Sequence, residues 1–182
     1  MIFKKELDKG CALLIGGAKS GKSRIALDIC NKSEKKKIFM ATAQALDDEM
    51  KKRIQRHKAE RGDDWITVEE SIQITDRLAE LDASNTVILL DCLTLWLNNL
   101  FMEKGESIES IQESIDGLLK RLSQIKAVVV IVSNEVGMGI VPENDLARMY
   151  RDVAGSLNQH IAQVAKKVVA VMAGLPVVLK DE

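Results

Sequence analysis

The chain has 182 residues, 46% of them hydrophobic and 29% charged, with a formal net charge of -1. That length fits one α/β domain able to bury its own core without disulfides or a structural metal, and the balanced charge lacks the basic excess of a nucleic-acid-binding domain. No apolar run approaches the ~20 residues of a membrane span, and Met1–Gly10 is too polar for a signal peptide, so a cytoplasmic protein is expected.

Residues 1–9 read as a polar extension, and Cys11–Ile15 as the first buried strand. The strand runs into Gly16-Gly17-Ala18-Lys19-Ser20-Gly21-Lys22-Ser23, which matches G-x-x-x-x-G-K-[ST] and opens a helix, Lys22–Asn31. Glycines let successive backbone N–H groups curl toward phosphate oxygens, and the helix N-terminus adds its partial positive charge. Lys22 is placed to reach the β- and γ-phosphates of a nucleotide, and Ser23 to offer its hydroxyl to Mg2+.

After an expected strand at Ile38–Thr42, a helix is predicted over Asp47–Arg61, with acids in its first turn. On a helical wheel Met50, Ile54, His57 and Arg61 fall within about 60° of one another. An imidazole and a guanidinium on the inward stripe imply either satisfied core groups or a ligand. A neutral imidazole can attack phosphorus, and Arg61 can fork onto an α- or β-phosphate.

A helix is expected at Ser71–Asp82, then a strand, Val87–Leu90, ending on Asp91. The carboxyl ends of parallel strands face the ligand crevice. Asp91 then reads as an acid for Mg2+ or its water, as a ribose partner, or as the cap of the next helix. That helix, Leu93–Phe101, is apolar nearly all round, which fits core burial or a contact surface. A helix at Ser107–Gln124 and a strand at Val128–Ser133 follow. The loop with Glu135, Gly137 and Gly139 either bends around substrate or turns the chain into a Pro142-started helix, Glu143–Lys166. His160, on the apolar side of that helix, reads as structural.

A strand at Val168–Met172 and a turn through Gly174-Leu175-Pro176 lead to an antiparallel edge strand, Val177–Lys180. Alternation of near-continuous apolar runs with helices predicts a single α/β domain over residues 1–182, with a doubly wound, mostly parallel sheet. Cys11, Cys30 and Cys92 read as buried reduced thiols. Two histidines and no Cys/His cluster argue against a zinc site.

Several blocks together resemble one family. They are the glycine-rich motif, Ala41-Thr42-Ala43, Asp47-Asp48-Glu49-Met50, Arg53-Ile54-Gln55-Arg56-His57-Lys58, and Ser133-Asn134-Glu135-Val136-Gly137-Met138-Gly139-Ile140-Val141-Pro142-Glu143-Asn144. The block continues through Leu146-Ala147-Arg148, Tyr150-Arg151-Asp152, Ala154-Gly155 and Asn158-Gln159. These resemble the bifunctional adenosylcobinamide kinase/adenosylcobinamide-phosphate guanylyltransferases of cobalamin biosynthesis. The resemblance implies a RecA-like P-loop NTPase fold and a homotrimer. It implies that ATP or GTP phosphorylates the aminopropanol hydroxyl of adenosylcobinamide. GMP then passes from GTP to adenosylcobinamide phosphate, releasing pyrophosphate, through a guanylylated histidine that His57 matches.

Matching positions implies nucleotide contacts at Gly16 to Ser23, at Ala41, Thr42 and Ala43, and at Lys58, Ala59, Glu60 and Arg61. Glu69 and Asp91 complete that set, Lys22 joins His57 in catalysis, and Ser23 holds Mg2+ with the nucleotide phosphates. Three departures stand out: about nine extra polar residues before the first strand, Asp91 where glutamate also occurs, and Arg56, which leaves His57 the sole candidate nucleophile.

Overall fold

A computed structural model describes residues 7–44, 61–105 and 107–182. In chain order these form β1 (Gly10–Gly16), α1 (Lys22–Asn31), β2 (Lys36–Ala41), β3 (Trp65–Glu69), α2 (Ile74–Glu80), β4 (Thr86–Asp91), α3 (Leu93–Lys104), α4 (Ile108–Gln124), β5 (Val128–Asn134), α5 (Asp145–Val164), β6 (Lys167–Met172) and β7 (Leu175–Asp181). The strands join one sheet in the order β3-β2-β4-β5-β1-β6-β7. All neighbours are parallel except β6 and β7, which run antiparallel at the edge.

Alternate side chains of each strand enter opposite layers, as the strand period requires. Cys11, Leu13, Ile38, Met40, Ile88, Leu90, Val129 and Ile131 pack under α2, α3, α4 and α5. Ala12, Leu14, Phe39, Val87, Leu89, Val130 and Val132 pack on the other face with Ile25, Ala26 and Cys30 of α1. Burial on both faces explains why these strands read as unbroken apolar runs. The apolar helix at Leu93 proves to be core: Leu93, Trp96, Leu97 and Leu100 are all buried.

β3 was absent from the sequence-based expectation. Its apolar part is short, is bounded by Asp63-Asp64 and Glu69-Glu70, and leaves Ile66 47% exposed at the sheet edge. Tertiary contacts hold it there. Trp65 meets Phe39 edge-to-face at 6.4 Å, and its indole N–H donates to Asn31 Oδ1 at 2.9 Å at the end of α1. Of the helix expected over 47–61, residues 47–60 lie outside the described residues. Arg61 itself stands in a bend, because the chain turns at once through Gly62, whose carbonyl accepts from Trp65 N–H at 3.3 Å. The last long helix starts later than expected, at Asp145, because Asn144 caps it by accepting from Ala147 N–H at 3.0 Å. Among the described residues no helix is long and apolar enough to cross a membrane.

Candidate nucleotide site

The site is built where β1 ends. A Cβ on Gly16 would stand 2.4 Å from the Val171 carbonyl and 2.7 Å from Ser20 Oγ, so the loop can close against β6 only without one. Lys19 and Gly21 carry φ of 56° and 95°, left-handed conformations that re-aim the backbone N–H groups. Gly21 caps α1 without a side-chain acceptor, and the first turn of α1 contains no acid. The N-terminal N–H groups of that helix are therefore disposed toward an anion, as its dipole favours.

Lys22 is buried and folds its ammonium back onto the loop, 3.0 Å from the Gly17 carbonyl. Ser23, half-buried, follows in the first turn. Ser20 Oγ is buried with no hydrogen-bond partner among the described residues. The β6–β7 turn braces the cradle from outside, with Gly174 N–H donating to the Ser20 carbonyl at 2.8 Å. Ala173 and Gly174 there have φ of 50° and 80°.

Parallel register aligns the strand ends into a row. Ala41 of β2 pairs with Glu69 of β3 on one side and with Asp91 of β4 on the other. Gly16 of β1 pairs with Asn134 of β5. Ala41, Glu69 and Asp91 thus form one row. Asp91 also pairs with Val132 and Val132 with Leu14, so Gly16 stands two residues further along β1, at the same carboxyl edge of the sheet. Thr42 and half-buried Ala43 continue from that edge. Thr42 is locked to the β4–α3 junction: its hydroxyl donates to the Cys92 carbonyl and accepts from Cys92 N–H, both at 2.8 Å.

Arg61 is buried, with its guanidinium 3.6 Å from the centre of the Phe39 ring and 3.4 Å from Thr67 Oγ1. Phe39 lies two residues before Ala41 on the same strand face, which brings this cation close to the row. His57, Lys58, Ala59 and Glu60 lie outside the described residues. His160 sits in the last turns of α5, which runs away from this edge toward the start of β6.

A second polar cluster, given no role in the sequence reading, backs the row. Asn134 donates to Thr94 Oγ1 at 3.0 Å, Asn158 donates to the Asn134 carbonyl at 3.2 Å, and Ser133 donates to Asn158 Oδ1 at 2.6 Å. Tyr150 hydroxyl donates to the Thr94 carbonyl at 2.7 Å. The available signal was two polar residues, Ser133 and Asn134, ending a buried strand. Partners 40 and 25 positions away along the chain could not be read from it. Glu135 is engaged in its own loop, its carboxylate accepting from Gly137 N–H at 2.6 Å and its N–H donating to the Gly16 carbonyl at 3.1 Å.

The family model described as cobinamide kinase / cobinamide phosphate guanyltransferase matches residues 12–179. The chain belongs to this cobinamide kinase / guanyltransferase family. Among its curated relatives, the bifunctional adenosylcobalamin biosynthesis protein CobP of Pseudomonas aeruginosa is 40% identical over 170 residues, 93% of this chain and 97% of its own. The bifunctional adenosylcobalamin biosynthesis protein CobU of Escherichia coli (strain K12) is 41% identical over 180 residues, 92% of this chain and 98% of its own.

Solved structures agree on the fold alone. An ATPase from a type III secretion system of pathogenic bacteria superposes with a TM-score of 0.61 at 13% identity, covering 93% of this chain and 56% of the other. Flagellar accessory protein FlaH of Methanocaldococcus jannaschii gives 0.53 at 13% identity, covering 95% and 79%. This family member therefore has the RecA-like P-loop architecture, with one antiparallel edge pair.

Around the candidate site of this family member the environment disfavours thiolate and phenolate. Burial pushes the Cys92 thiol up, and the neighbouring Asp91 charge pushes it further, against an opposing hydrogen bond from Thr94. Burial likewise raises Tyr150. Among the described residues no group of three or more His, Cys, Asp or Glu side chains could hold a metal ion. Mg2+ does not require one, because it is commonly held by one or two protein oxygens together with phosphates and water.

Proposed function

We propose that the chain phosphorylates adenosylcobinamide with ATP or GTP and then converts the phosphate to adenosylcobinamide-GDP by way of a guanylyl-His57. It works in the cytoplasm, as a homotrimer of single-domain subunits. The observation that carries this reading is a glycine-rich cradle, opening at Gly16, at the same carboxyl edge of the sheet as the strand-end row of Ala41, Glu69 and Asp91, in a chain of this family.

The cradle and Lys22 hold the β- and γ-phosphates, and most of the rate gain comes from that positioning and charge stabilisation. Ser23 and the phosphates hold Mg2+, with Asp91 beside it or on the ribose. When bound, that ion neutralises phosphate charge. Ala41, Ala43, Lys58 to Arg61 and Glu69 complete the nucleotide contacts, with Thr42 between the two alanines held inward by Cys92. A neutral His57 nitrogen attacks the α-phosphorus, the bond to the β-phosphate oxygen breaks, and pyrophosphate leaves. An oxygen of adenosylcobinamide phosphate then attacks the same phosphorus, the P–N bond breaks, and His57 is restored. Two in-line displacements replace one direct reaction between two anions.

Incubation with α-labelled GTP and Mg2+ tests the reading. Wild type should carry an acid-labile GMP label. His57→Ala should carry none while keeping much of its kinase activity, and Lys22→Ala should lose both steps. A His57→Ala protein labelled as strongly as wild type would refute the assignment.

A further inference from the structure

Thr42 begins the loop that leaves β2, and its side chain is fully buried. The main-chain ladder between β2 and β4 ends with the pair Ala41 and Asp91. Beyond it, among the described residues, Thr42 supplies the next rungs. Its N–H donates to the Asp91 carbonyl at 3.2 Å. Its hydroxyl accepts from Cys92 N–H and donates to the Cys92 carbonyl, both at 2.8 Å. Its own carbonyl accepts from Asn99 Nδ2 at 2.8 Å, which ties the junction to α3. A threonine hydroxyl has a single proton, and here the Cys92 carbonyl takes it. None is left to give to a phosphate or ribose oxygen.

Cys92 is the sole residue between Asp91, the last of β4, and Leu93, the first of α3. The Cys92 carbonyl also starts α3 by accepting from Trp96 N–H at 3.1 Å. It would keep a partner without Thr42, whereas the Cys92 N–H would lose the one described. An unpaired buried N–H drives local rearrangement, and that N–H belongs to the peptide joined to Asp91.

We propose that Thr42 is a positioning residue, which acts on the nucleotide through the Asp91–Cys92 backbone by holding the Asp91 carboxylate at the edge of the cradle. This rests on the nucleotide reading of the site. It differs from a direct contact, because removing the hydroxyl matters only as long as Asp91 is there to be positioned.

A double-mutant cycle separates the two roles. Binding of a fluorescent GTP analogue with Mg2+ is measured for wild type, Thr42→Val, Thr42→Ser, Asp91→Ala and the combined variants. Thr42→Val should weaken binding about tenfold, and Thr42→Ser should restore most of it. In the Asp91→Ala background the valine should add less than about twofold. A valine penalty undiminished in that background, a serine variant as impaired as the valine one, or a valine variant that binds like wild type overturns the proposal. Thr42→Ala serves in the same cycle if the valine variant does not fold. Covalent labelling of wild type is read separately. A protein that binds the analogue but forms no His57 adduct sinks the transferase reading and leaves the positioning role standing.

Discussion

Burial of the cysteines has a consequence in alkaline solution. Cys11 and Cys30 lie under opposite faces of the sheet, and burial pushes their thiols from 9.0 up to about 11 and about 12, against weaker pull from nearby lysines. The folded state thus holds these protons more tightly than the unfolded chain. The resulting stabilisation is complete below pH 9 and is lost as pH rises through about 11 and 12. Urea midpoints should fall through that range, and a Cys11→Ala/Cys30→Ala double variant should show a shallower fall. An equal slope in the double variant would count against the assignment. That the cysteines are interior was legible from their apolar neighbours. The role of Thr42 was not, since its partner is 50 positions away.

The antiparallel edge strand was foreseen at Val177–Lys180, and β7 extends it on both sides to Leu175–Asp181. Its last residue has a task invisible in the local pattern. Asp181 forms a salt bridge with Lys167, directly across the β6–β7 ladder, and Lys167 is almost wholly buried. Breaking a buried pair leaves an inadequately compensated charge, so Asp181→Asn should cost about 3 kcal/mol. Urea denaturation monitored by circular dichroism measures this, and a loss below about 0.5 kcal/mol would mean that other groups hold the lysine. The cost should reach the nucleotide site as well, because the turn joining these strands braces the Ser20 carbonyl. β3 escaped prediction for a related reason: an edge strand of five residues takes its stability from a neighbour rather than from its own pattern.

Across the whole molecule one sheet threads every described strand, and the two tryptophans report on its two faces: Trp96 in the four-helix layer and Trp65 beside α1. With both layers on a common sheet, unfolding should be cooperative. Single-tryptophan proteins, Trp65→Phe and Trp96→Phe, should each show a fluorescence transition that coincides with loss of helix by circular dichroism. Separated transitions in either protein would show that the layers unfold independently. The sequence by itself determined the alternation of strands and helices, the phosphate cradle and the family blocks, because each depends on local spacing and backbone freedom. Only the tertiary structure decided that Glu69, Ala41 and Asp91 share one row, that Thr42 ties β2 to β4, and that the β6–β7 turn seats against the cradle. Those relations join residues far apart in the chain, and parallel register and close packing, rather than neighbouring side chains, bring them together.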